Sequence, residues 1–253
     1  MNKRVLLTVS AVIAAAVLLI IGVTTAFFTD VEIKDNVITI GKVSIELDEG
    51  SFEPTQTYAV EPGSRVEKAP KLKNTGNKDE FVFMRITVPK DSVTLLNESG
   101  ADKGKPKGER SVQQLFRLLA NTRTPPAQDN VAAVTRPTGR DVDISYHSAQ
   151  AAGSTVDGWE LLKVEENTGY DEYVFGYNKL MKPNDETQTL FDAVQLKSFI
   201  DGETTGEKEI GVYCYGIQAE YLKTDVPLNL SAANFTATEL NKIYTIVENK
   251  ANQ

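Results

Sequence analysis

Short runs in which apolar and polar residues alternate, separated by turn-forming residues, limit most strongly what this chain can fold into. Val43, Ile45 and Leu47 alternate with Ser44 and Glu46, which is the period of a half-buried strand. Strands of this kind bury one face against a second layer, so the pattern favours packed β-sheets.

The later strand candidates follow the same plan. Glu61–Ser64 and Asn74–Asn77 are rich in Pro, Gly and Asn and predict turns. Pro70 confines its segment to a sheet edge or a bulge. Phe81–Val88 is apolar on both faces for most of its length, as expected of a central strand. Further candidates are Val142–Tyr146, Trp159–Val164, Tyr173–Tyr177 and Gly211–Tyr221. The sequence predicts a mainly β fold, a jelly-roll-like antiparallel β-sandwich.

Two segments have helical spacing instead. Ser111–Asn121 carries apolar residues three and four apart behind a capping-box pattern, which predicts a helical insertion within residues 97–130. Near the end, Thr236 and Glu239 form a second capping box. An apolar stripe follows it, which predicts a helix over residues 237–249 that docks on the sandwich: Leu240, Ile243, Tyr244 and Val247.

The first residues form a targeting segment. Lys3 and Arg4 precede a run without charged residues from Val5 to Val23, and small residues lead to Ala26. This order is typical of a secretory signal, cleaved here between Ala26 and Phe27. An uncleaved membrane anchor is the alternative, since the run is long enough to span a bilayer.

Composition excludes several functions. The 253 residues carry a formal charge of −8, which disfavours nucleic-acid binding, because phosphate backbones attract clustered cations. One cysteine and one histidine exclude a disulfide framework and multi-Cys or multi-His metal sites. No nucleophile elbow, zinc-protease motif or phosphate loop is present. We therefore expect no catalytic residue, no metal ligand and no resident cofactor.

Single residues give only weak functional signals. His147 is expected to have a surface or hydrogen-bonding role rather than a catalytic one, and Cys214 to be a small buried apolar residue. Trp159 is expected to anchor the core, with a sugar platform as the alternative. Asp141 and Asp143 are expected to be solvated acids, with Ca²⁺ ligation as the alternative. An isopeptide bond would need a buried lysine, an Asn or Asp and a carboxylic acid together, and the sequence does not pick out such a triad.

Several blocks resemble a known family. Ala26–Asp30 resembles the cleavage region of Gram-positive proteins processed by a SipW-type signal peptidase. Asp35–Leu47 resembles the first block of the TasA/camelysin family, and Glu61–Gly63 with Leu72–Val88 resembles the second. Val212–Glu220 resembles its last strand. The blocks occur in the family's order, whereas residues 97–157 and the tail after Lys223 match nothing in it.

The resemblance implies a secreted jelly-roll subunit of a biofilm-matrix or cell-surface fibre. In that family the N-terminal segment leaves its own subunit and completes the sheet of the next one, so residues 27–41 become the candidate donor strand. Its apolar residues would fill pockets of the acceptor: Phe28, Val31, Ile33, Val37 and Ile38. The alternative is that this segment pairs within its own sandwich.

The implied organisation has four parts. Residues 1–26 form the signal peptide, 27–41 the donor strand, 42–223 the sandwich and 224–253 a C-terminal extension. The expected partners are further copies of the chain and the SipW-type peptidase, with an accessory matrix subunit left open. Two other functions are kept as alternatives: a camelysin-like secreted metalloprotease, and an accessory or anchoring subunit or adhesin.

Overall fold

The fold is built from antiparallel sheets. The computed structural model describes residues 44–50, 61–120, 131–134, 144–149, 157–206, 208–223, 229–230, 232 and 234–251. The strands are β1 (Ile45–Asp48), β2 (Arg65–Glu67), β3 (Lys71–Asn74), β4 (Glu80–Val93), β5 (Ser111–Gln114), β6 (Phe116–Leu119), β7 (Val131–Val134), β8 (Ile144–His147), β9 (Trp159–Glu166), β10 (Tyr170–Tyr177), β11 (Ala193–Leu196) and β12 (Gly211–Gln218). A 3-10 helix, Ala219–Lys223, and an α-helix, α1 (Ala237–Ala251), follow.

The strands form two main sheets and a small one. Sheet 1 has the order β12-β4-β10-β9, and β5 pairs with the far end of β4. Sheet 2 has the order β2-β11-β6-β8-β7, and β1 pairs with β3. The described strand pairings are antiparallel except for β6 with β8, and the isolated bridge between Ser148 and Trp159 is also parallel. The predicted mainly β, antiparallel class is confirmed, while the jelly-roll order stays a prediction.

The strand β4 lies at the centre of sheet 1, as its apolar sequence predicts. It pairs with β12 on one side and β10 on the other. One face of β4, with Val82, Met84 and Ile86, enters the main core between the sheets. There it meets side chains of sheet 2: Phe116, Leu118, Ile144, Tyr146, Val194 and Leu196. Phe81 and Phe83 point to the opposite face and belong to a second hydrophobic cluster.

Pro89 marks the place where β4 changes partners. Before it, β4 pairs with β12 up to Thr87, and after it the strand pairs with β5 from Lys90 to Val93. A proline has no N–H to donate, so it suits a position where one ladder ends and another begins.

The helix α1 covers the outer face of sheet 1, as predicted. Its cap forms the expected reciprocal bonds: Thr236 N donates to Glu239 Oε2 at 2.9 Å, and Glu239 N donates to Thr236 Oγ1 at 3.3 Å. The predicted stripe is buried against Phe81, Phe83 and Tyr215: Leu240, Ile243, Tyr244 and Val247.

The predicted helix over Ser111–Asn121 is wrong. Its described part forms β5 and β6, which pair with β4 and β11. Phe116 and Leu118 are buried and alternate with more exposed neighbours, whereas Val112 is 48% exposed. Cross-strand pairing with distant strands therefore overrides the local helical spacing. The remainder of the predicted insertion contains turns, and residues 121–130 lie outside the described residues.

Truncating the stripe of α1 should destabilise the whole fold. Leu240 is fully buried between the helix and sheet 1. We expect Leu240→Ala to lower the free energy of unfolding by about 2–5 kcal/mol, as measured by urea denaturation. Asn241→Ala, at the exposed neighbouring position, is the control. Equal losses in both variants would contradict the packing of α1.

Candidate functional site

The residues predicted for export and assembly lie outside the described part of the chain. This holds for the signal peptide, for the cleavage site at Ala26 and Phe27, and for the donor-strand residues: Phe28, Val31, Ile33, Val37 and Ile38. These assignments stay predictions. Within the residues that the structure describes, no helix has the length and apolar character needed to cross a membrane.

The edges of the sheets differ in how well they resist pairing with another strand. β9, at one edge of sheet 1, carries four charged residues, and β2, at the edge of sheet 2, is three residues long. Charges and short length are the usual protection of an edge strand. β12, at the other edge of sheet 1, has eight residues and no charged one. β7, the other edge of sheet 2, is also uncharged but has only four residues, so β12 offers the longer uncharged edge to a further strand.

Both faces of β12 are already covered. Val212 packs into the main core, and Tyr215 and Ile217 pack in the second cluster beneath α1. The guanidinium of Arg85 lies 4.2 Å from the ring centroid of Tyr213. What β12 offers to a partner is therefore its outer backbone edge, which no other strand among the described ranges occupies.

The N-terminal segment enters the fold near this edge. β1 approaches β12. Ser44, which directly precedes β1, accepts hydrogen bonds through its carbonyl from Thr75 N at 2.8 Å and Gly76 N at 3.0 Å. These residues belong to the turn between β3 and β4, and the end of that turn lies beside Gln218 at the end of β12. Residues before Ser44 thus leave the described fold close to the uncharged edge.

His147 forms a buried pair that the sequence did not reveal. Its Nε2 lies 2.9 Å from Asp192 Oδ2, and both side chains are buried. Asp192 Oδ1 also accepts a long hydrogen bond from Thr189 Oγ1 at 3.4 Å. Of the two roles expected for His147, hydrogen bonding is the one the structure shows, with Asp192 as the partner, and a surface position is wrong because the side chain is buried. The partner is 45 positions away in the sequence, so local pattern could not have identified it.

Trp159 and Cys214 occupy packing positions. Trp159 is fully buried, and its Nε1 donates to the Gln188 carbonyl at 3.0 Å. It anchors the core, as predicted, and does not present an open face for a sugar. Cys214 is half-buried at the rim of the main core and is not in a disulfide.

Glu80 is a buried carboxyl that sequence analysis missed. It begins β4 and is fully buried, and neither carboxyl oxygen has a hydrogen-bond partner within the described structure. Burial raises its pKa from 4.5 to about 8, because a charged carboxylate is poorly solvated there. Next to it, Asn74 is also buried, but its amide donates to the carbonyls of Lys78 and Met181.

Two buried lysines form ion pairs with carboxylates. Lys90 Nζ lies 2.8 Å from Asp171 Oδ1 in sheet 1, and Lys68 Nζ lies 2.8 Å from Glu49 Oε1. Lys90 and Asp171 would supply the lysine and the acceptor of an isopeptide bond. The structure describes them as an ion pair.

The described residues do not fit a zinc site. A catalytic zinc needs three protein ligands and an open position. The chain's one histidine is buried against Asp192, and no group of three or more His, Cys, Asp or Glu in the described ranges is placed to hold a metal ion. Asp141 and Asp143, considered for Ca²⁺, lie outside those ranges.

Replacing Glu80 should change how stability depends on pH. The folded state keeps this proton up to about pH 8, whereas an unfolded glutamate loses it near pH 4.5. Stability contributed by the protonated form is complete below pH 4.5 and is lost as pH rises towards 8. The loss is about 1.4 kcal/mol per pH unit in that window.

We therefore expect the stability of Glu80→Gln, relative to the unchanged chain, to increase steadily between about pH 5 and pH 8. Urea unfolding at several pH values measures this difference. Glu61→Gln, at an exposed position, is the control for the substitution itself. A difference for Glu80→Gln that does not change with pH would contradict the burial of an ionisable group there.

Comparison with known proteins gives one family. The sequence pattern of the family described as camelysin metallo-endopeptidase matches residues 1–106. No curated protein and no solved structure matches the chain. The match covers β1 to β4 and the segment before them, and residues 107–253 lie outside it. Over residues 1–106 the chain is similar to the camelysin family, and this confirms the resemblance to the TasA/camelysin proteins over that segment.

Proposed function

We propose that this chain is a secreted structural subunit that assembles head to tail into an extracellular fibre. Each subunit donates residues 27–41 as a strand to the outer edge of β12 in the next subunit. The observation that carries the proposal is the edge of β12, which is eight residues long, uncharged and close to the place where the N-terminal segment enters the fold.

The energetics of such a contact suit assembly. An added strand satisfies the outward N–H and C=O groups of β12, and its apolar side chains supply specificity. β9 is a poor acceptor because its charged residues would face an incoming strand that also carries Asp30 and Glu32. β12 has no charges and offers no such repulsion.

The geometry of the contact determines the assembly. The donor segment and the acceptor edge are different surfaces of one chain, so the contact is heterologous. Repetition of a heterologous contact gives an open filament unless its rotation closes a ring. Pairing of the segment with its own β12 would instead give a monomer, and this is the alternative that experiment has to separate.

Removing the donor segment should abolish fibres and leave the fold intact. We expect residues 27–253 to form filaments in negative-stain electron microscopy, and the chain without residues 27–40 to remain monomeric. Circular dichroism of the shortened chain controls for folding, because β1 and the later strands are unchanged. Normal fibres from the shortened chain would refute strand donation.

The acceptor edge can be mapped with the native cysteine. Cys214 lies in β12 and is the chain's single cysteine. We expect a Cys scan over residues 29–33 to give, at one or more positions, disulfide-linked ladders on non-reducing gels of oxidised fibres. Val112→Cys, exposed on β5, is the matched control and should not crosslink. Fibres without any crosslink to Cys214 would place the donor at another edge.

The family description favours a second function, that of a secreted metallo-endopeptidase. The described residues do not assemble the ligands that a catalytic zinc requires, and this makes the fibre subunit the better-supported function. Casein cleavage by protein free of host proteases, abolished by a chelator, would establish the peptidase activity. A chain that enters fibres of another subunit but forms none alone would instead be an accessory subunit.

A further inference from the structure

Lys90 and Asp171 form a buried ion pair in sheet 1. The Nζ atom of Lys90 lies 2.8 Å from Oδ1 of Asp171, and the two side chains are 7% and 0% exposed. Lys90 is on β4 and Asp171 is on β10, which are neighbours in the sheet. The pair therefore brings together the two groups that an amide bond between side chains would join.

The backbone holds the two residues in place. Lys90 N donates to the Gly169 carbonyl at 2.7 Å, at the turn before β10. Asp171 lies opposite Val88 in the β4–β10 ladder, and Val88 is two residues before Lys90. Lys90 and Asp171 are thus diagonal neighbours on one face of the sheet, a separation that a long side chain bridges. The contact needs no movement of the strands.

The pair lies at the end of the main core. Val88 and Tyr173, on the same face of the sheet, are fully buried members of that core. Gln114 lies opposite Lys90 in the β4–β5 ladder and is also fully buried. Its Oε1 accepts a hydrogen bond from Tyr173 Oη at 2.8 Å, and its Nε2 donates to the Phe116 carbonyl at 2.7 Å. The side-chain amide of Gln114 is therefore engaged elsewhere.

Such surroundings favour the neutral forms of an acid and a base in contact. Burying charges costs far more than burying the corresponding neutral groups. Transfer of a proton from the Lys90 ammonium group to the carboxylate of Asp171 removes both charges at once. It leaves an amine, which is a nucleophile, beside a carboxylic acid.

A second carboxyl group lies on the other side of Asp171. Glu166 on β9 is directly opposite Asp171 in the β9–β10 ladder. Directly opposed residues have Cβ atoms about 4.5–5.5 Å apart, and like charges at such positions repel each other. The ammonium group of Lys90 offsets this repulsion in the ion pair. Glu166 is exposed, so it connects the buried pair with bulk water.

We propose that Lys90 and Asp171 condense to an intramolecular isopeptide bond, with Glu166 as the proton carrier. Nζ attacks Cγ of Asp171, the C–N bond forms, and one carboxyl oxygen leaves. Two of the three ammonium protons leave with that oxygen as water, by way of Glu166, and the third stays on the amide nitrogen. The net reaction turns an ammonium and a carboxylate into an amide and water, so it needs no oxidant and no cofactor.

The geometry supplies what this reaction lacks in solution. Reacting groups held in contact behave as if their concentration were far higher than free molecules can reach. The bond would join β4 to β10, two neighbouring strands of sheet 1. The chain has one cysteine, so an intramolecular disulfide cannot supply such a cross-link. Like a disulfide, the bond would restrict the unfolded chain.

Mass spectrometry of the denatured full chain, after its N-terminus has been determined, tests the bond. Condensation makes the chain lighter than its calculated mass by one water molecule, and denaturation does not reverse it. Trypsin does not cut after an acylated lysine, so residues 86–103 should be recovered joined to residues 164–179. A chain at its full calculated mass, with these peptides separate, would overturn the proposal.

Variants locate the bond. We expect Lys90→Arg, which keeps the charge, to have its full calculated mass. Asp171→Asn should still condense but lose ammonia in place of water, and this positive signal does not depend on how well Lys90→Arg folds. Lys68→Arg is the matched control, because Lys68 forms another buried ion pair at 2.8 Å, with Glu49. Loss of the mass deficit in Lys68→Arg, or its retention in Lys90→Arg, would refute the site.

The role of Glu166 is tested by the rate. We expect Glu166→Gln to condense about a hundredfold more slowly, measured as the fraction condensed at fixed times after synthesis. Glu165→Gln is the matched control: Glu165 is also exposed, lies opposite Glu172 and pairs with Lys163 at 2.9 Å. Equal rates in the two variants would overturn the role of Glu166. Fibres are not needed for these tests, so their outcome is independent of the proposed function.

Discussion

The burial of β4 on both faces is the constraint on which the rest of the structure depends. One face contributes to the main core between the sheets, and the other contributes Phe81 and Phe83 to the cluster beneath α1. Neither cluster could form without this strand, because β12 and β10 meet only through it. Burying a large apolar side chain contributes about 1.5–3 kcal/mol, so a strand buried on two sides accounts for much of the fold's stability.

The sequence predicted secondary structure correctly where the local pattern and the tertiary structure favour the same element. The double-sided run Phe81–Val88 predicted a central strand, and the capping box at Thr236 predicted α1 with its buried stripe. It failed at Ser111–Asn121, where helical spacing competed with pairing to β4 and β11. A ladder with distant strands leaves no trace in a short window, so no local pattern would have separated β5 and β6 from a helix.

The candidate sites also divide into residues whose role the sequence predicts and contacts that only the fold reveals. Trp159 was identified as a core anchor from its type, and it is one. The Asp192 partner of His147 and the buried environment of the Glu80 carboxyl each depend on residues brought together from far apart in the chain. The lack of charged residues in β12 was evident from the sequence, but its place at a sheet edge was not, because an uncharged strand of this kind is also compatible with a central position.

The position of β4 in the chain has a consequence for folding. Phe81 pairs with Ile217, so the partner on one side of β4 is synthesised more than a hundred residues later. Contacts of such high sequence separation form slowly, because a long loop must close before they are gained. During that interval an apolar segment with high β-propensity is exposed and can pair with other chains. A newly made copy of this protein is therefore most vulnerable to aggregation through the strand that later becomes its most protected one.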